Sequence, residues 1–121
     1  MLKLARNIQK PDFRDMHLSL AHSSRNEAVT GVVQHVNRVL NYAGSDIKLD
    51  TPGQSNIDER MPLYFMRPCI PALNEIIKKY SLDKRYKLKY LPEVGDSIDY
   101  HGVILMANDI INHANKILEL L

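Results

Sequence analysis

Between Ser24 and Gly44 the chain reads SRNEAVTGVVQHVNRVLNYAG, and this stretch limits what the remainder can become. Ala28, Val29, Val32, Val33, Val36, Val39, Leu40 and Ala43 recur at spacings of three and four, which gathers them on one side of an α-helix. Asn26, Thr30, Gln34, Asn37, Arg38 and Asn41 fall on the other side. Ser24 can cap the helix, with Glu27 at the capping-box distance. Gly44 can take the left-handed conformation that ends a helix. The pattern predicts a helix over 24–43. Two features oppose it in isolation. The valines lose rotamer freedom in a helix, and Gly31 costs about 1 kcal/mol relative to Ala. Such a helix persists only when packed, so its apolar stripe is the expected core.

A second long helix is predicted from about Val103 to Leu121, with Val103, Ala107, Ile110, Ile111, Ala114, Ile117, Leu118 and Leu121 as its stripe. Leu73, Ile76, Ile77 and Tyr80 mark a shorter helix over 71–80, which Pro71 can begin. Residues 11–22 favour another short helix, although Met16, Leu18 and Leu20 also alternate as a strand would. Residues 44–62 are polar, with a turn at Thr51-Pro52-Gly53, and read as a long loop. In MPLYFMRPCIP, prolines at 62, 68 and 71 speak against a regular helix, leaving 63–66 as a short buried segment. Tyr86, Leu88 and Tyr90 alternate with Arg85, Lys87 and Lys89, as in a strand. Residues 97–102 are either the first turns of the last helix or a strand pairing with 85–91.

The expected architecture is therefore mainly α. It is one compact domain, 1–121, of about four helices, with a β-hairpin of 85–91 and 97–105, hence an α+β fold, as the competitor. A length of 121 residues suits one domain. No run approaches the ~20 apolar residues of a membrane span. The start, MLKLARNIQKPDF, lacks the apolar core of a secretory signal. One cysteine cannot form an internal disulfide or a cysteine-rich zinc site. The expected compartment is the cytoplasm, of a cell or of an infected host.

Net charge is only +2, but it is unevenly distributed: residues 78–89 sum to +5 and 90–121 to −4. Lys78, Lys79, Lys84, Arg85, Lys87 and Lys89 are interleaved with Tyr80, Tyr86 and Tyr90. Cations there can neutralise phosphates or an acidic partner, and tyrosines can stack on bases. EIIKKYSLDKRYKLKYL loosely resembles a helix-turn-helix over about 17 residues. Ser81 stands where glycine is usual, and Lys87 where the second helix normally buries an apolar side chain. The plainer reading is a solvated basic edge neutralised by the acidic segment that follows.

Asp109 and His113 lie one helical turn apart, a spacing at which a carboxylate can orient an imidazole as base or metal ligand. The ordinary reading is two exposed polar neighbours. Cys69, between Pro68 and Pro71, has no base recognisable beside it. There is no glycine-rich phosphate loop, nucleophile elbow or HExxH. Asn37 and Asn41 on the first long helix, and Asn108, Asn112 and Asn115 on the last, give uncharged polar faces. Solvated helix faces usually carry longer charged side chains, and an uncharged face enters an interface without burying charge. These faces point to a protein partner, or to a second copy of the chain.

The leading expectation is a small non-enzymatic regulatory or inhibitory protein that binds another protein, without cofactor, metal or membrane. Its size suits the accessory proteins of phages and mobile elements. Nucleic-acid binding through 78–90 is the alternative.

Overall fold

The computed structural model describes residues 25–52, 60–82 and 97–121. Among these described residues four helices follow in order: α1 (Arg25–Tyr42), α2 (Pro62–Met66), α3 (Cys69–Lys79) and α4 (Tyr100–Leu120). The fold is mainly helical and compact, and the described residues contain no strand. The helix expected at 11–22, the strand-like stretch 85–91 and the cap at Ser24 lie outside the described residues.

The periodic stripe of α1 is the core. All eight of its predicted apolar residues are fully buried. They meet the isoleucine side of α4, and α1 against α4 is the most extensive helix pair. Met106, Ile110, Ile117 and Leu118 are enclosed there, and Leu73, Ile76 and Ile77 of α3 close the third side. Truncating such a residue to alanine typically removes about 2–5 kcal/mol through lost burial and a residual cavity.

Each helix end has an identifiable cause. At the C-terminus of α1, Gly44 has φ +77°, the Gly44 N–H donates to Asn41 O at 3.1 Å, and the Ser45 N–H donates to Leu40 O at 2.9 Å. This is the paired closure of a Schellman end. α3 closes in the same way, with Leu82 N–H donating to Ile77 O at 2.9 Å, but Ser81 occupies the left-handed position at φ 54°. The prolines fall where no N–H is needed. Pro62 starts α2, Pro68 is the N-cap of α3, and Pro71 lies in the first turn of α3. Residues 62–66 are thus helical rather than irregular, and α3 begins two residues before Pro71.

α4 begins at Tyr100, three residues earlier than its stripe implies. The Asp99 side chain accepts from the Gly102 N–H at 2.7 Å, an N-cap that fixes the start. With 100–105 helical, the hairpin of 85–91 with 97–105 loses its second strand.

Candidate functional site

The ends of α1 and α3 lie side by side. The last carbonyls of a helix have no partner within it. Here the Tyr80 hydroxyl donates to Ala43 O at 2.6 Å, and Lys79 Nζ donates to Gly44 O at 3.5 Å. The same ammonium stands 5.5 Å from the centre of the Tyr80 ring. Lys78 and Lys79 also carry positive charge where the α3 dipole is negative.

From this junction the chain leaves as Ser45 to Leu49. The amide of Asn37 holds the far end of the segment twice over. Its Nδ2 donates to Leu49 O at 2.9 Å and its Oδ1 accepts from the Leu49 N–H at 2.8 Å. Ser45 Oγ accepts from the Ile47 N–H at 3.1 Å. The segment is therefore pinned at both ends, and between them Ile47 is 42% exposed. Two open clefts, of about 370 and 380 Å³, share Ser45, Asp46 and Ile47 as a common wall. Asn37, Asn41 and Lys48 line the first, and Glu75, Ile76 and Lys79 the second. The result is an apolar tip with mixed polar residues around it.

The five asparagines singled out in the sequence go to different places. Asn37 is half-buried and holds Leu49, as above. Asn115 is half-buried and accepts from the ring of His35 across the α1–α4 seam, Nε2 to Oδ1 at 2.7 Å. Asn108 is half-buried, and Asn41 and Asn112 are exposed. The first cleft thus unites Asn37 and Asn41, while Asn112 stands on the outer side of α4. Of the basic stretch, Lys78 and Lys79 are exposed at the end of α3. Lys84, Arg85, Tyr86, Lys87, Lys89 and Tyr90 lie outside the described residues.

Nothing in the sequence signals that His35 and His113 are both buried. His35 is fully enclosed, and because Asn115 accepts through oxygen, Nε2 carries the proton. Its Nδ1 is buried with no hydrogen-bond partner. Burial lowers the pKa of His35, Asn115 partly offsets this, and nearby Arg38 lowers it further. His113 is 2% exposed and donates from Nε2 to Asn74 Oδ1 at 3.2 Å. Burial pushes its pKa down to about 4. His113 is thus not an exposed neighbour of Asp109; it joins α4 to α3 as a neutral donor. Cys69 is enclosed, its Sγ 3.8 Å from Phe65 O, and burial pushes the thiol up to about 12. A thiol held there is not a nucleophile near neutral pH. Among the described residues, no three His, Cys, Asp or Glu side chains form a group able to hold a metal ion. No described helix is long and apolar enough to cross a membrane.

The chain matches no protein-family model, and neither curated proteins nor solved structures show significant similarity to it.

Proposed function

We propose that this is a small regulatory protein that acts without catalysis by binding another protein through the Ile47 segment. The observation that carries this reading is the pinned loop. An exposed isoleucine held by the Asn37 amide at one end and by the α1–α3 junction at the other is ordered before a partner arrives. Ordering a loop on binding costs affinity, so a loop already fixed is suited to recognition. An apolar centre with a polar rim is also the usual anatomy of a protein interface. The chemistry of the buried groups supports the non-catalytic part. Two neutral histidines joining helices and a thiol pushed up to about 12 have structural work inside the fold.

Affinity capture with the full chain as bait tests the proposal. Proteins retained by the native chain should be lost with Ile47→Asp, which changes an exposed side chain and should leave the melting temperature unchanged. Identical capture by both chains would overturn the assignment of this surface.

A further inference from the structure

The outward side of α4 is a separate surface with an internal symmetry of its own. At 100° per residue, Leu105, Asp109, Asn112, Lys116 and Leu120 share one side of the helix. Leu105 is 42% and Leu120 49% exposed, and Asn112 and Lys116 are exposed between them. Asp109 is half-buried at the edge and also has an interaction within its own chain.

The spacing of these residues reads the same from both ends, with acid and base exchanged. Leu105 and Leu120 are equally far from the midpoint between residues 112 and 113, and so are Asp109 and Lys116. We propose that this side of α4 is an interface with a second copy of the chain, packed antiparallel about a two-fold axis through that midpoint. The axis sets Leu105 against Leu120 of the partner subunit and Asp109 against Lys116 of the partner subunit. Each contact occurs twice, as an isologous interface requires.

Charge complementarity fixes the occupant and the direction. In an antiparallel pair every carboxylate of this set meets an ammonium, whereas a parallel, in-register pair would set like against like. Asn112 lies beside the axis, where a residue meets its own copy. A charged residue there would repel itself, and an amide can both donate and accept. Lys116 Nζ reaches Glu119 Oε2 only at 4.0 Å, with both side chains mostly in water, a contact weak enough to exchange. Leu105 and Leu120 stand about 22 Å apart along the axis. One helix side of that length covers less than the ~800 Å² per partner of a stable complex. The pair therefore forms at high concentration or when a further partner holds two copies together.

Sedimentation velocity on the full chain, over a concentration series reaching the millimolar range, tests this. The native chain should pass from monomer to dimer. Leu105→Glu and Leu120→Glu alter exposed positions, and each should weaken association about tenfold or more, because each change enters the pair twice. Lys116→Glu should also weaken it, and adding Asp109→Lys to the same chain should restore it with the signs exchanged. On mild oxidation, Asn112→Cys should give a disulfide-linked dimer that the native chain, with its buried Cys69, does not. A chain that remains monomeric throughout overturns the proposal, as does a dimer indifferent to both leucine changes. Should Asp109→Lys lose helical circular dichroism, the Asn112→Cys cross-link decides the register, and its absence in a dimer overturns the axis proposed.

Discussion

Against α1, the histidine is on the neighbouring helix and the asparagine on α4; against α3, the arrangement is reversed. His35 meets Asn115 at 2.7 Å with its ring wholly enclosed, and His113 meets Asn74 at 3.2 Å with its ring 2% exposed. His113 and Asn115 are two residues apart, so they leave α4 about 200° apart and reach opposite neighbours. The α1 seam is the more demanding of the two. A proton on Nε2 satisfies the bond to Asn115 and leaves Nδ1 as an enclosed acceptor with no hydrogen-bond partner. Enclosure and geometry, rather than residue type, set how strongly a polar pair locks a seam.

Acid should break both seams and produce the largest effect. Both rings are neutral when folded, whereas the unfolded chain takes up protons near the ordinary value of 6.5. Stability is therefore full above that pH and falls as the pH drops towards the folded value of about 4 for His113. The loss from His113 alone is on the order of 3 kcal/mol, read from urea melts across that window. His113→Leu should remove that share of the acid limb.

Asn115→Ala comes next. It leaves the enclosed Nε2–H of His35 without an acceptor and should cost about 2 kcal/mol in chemical denaturation. Asn74→Ala removes the longer bond and should cost about 1 kcal/mol. If the two losses are equal, the seams are equivalent and the comparison fails. Asn37→Ala touches neither seam; it should cost about 1 kcal/mol and speed amide exchange at Leu49. The smallest effect is a gain. Ser81→Gly relieves a left-handed residue and should add up to about 1 kcal/mol. It should add the same amount to native and Asn115→Ala chains if α3's end is independent of the α1 seam.

The helices were legible because burial repeats every three to four residues. The eight apolar positions of α1 and the closing Gly44 followed from spacing and from one conformational preference. The start of α4 was less so, because Asp99 could be recognised as a cap only if 97–102 were known not to pair as a strand. The prolines at 62, 68 and 71 misled where they spoke against a helix: each falls at a helix start, where a missing N–H costs little. The polar pairs were not legible at all. His35 and Asn115 are 80 positions apart, and a periodic pattern says which side of a helix is apolar but not which polar group will find a partner across it. Asn37 and Asn41 share a helix face, yet one holds a loop and the other stands in a cleft. Ile47 gave no signal, since its importance comes from the anchors around it.

The bond from the Tyr80 hydroxyl to Ala43 joins residues 37 positions apart, and so makes a ring of chain without a covalent link. α2 and α3 both lie on that ring, and each packs on α1. A protease cut inside the ring would leave two fragments gripped by the same core, so the nicked molecule should migrate whole until it is denatured.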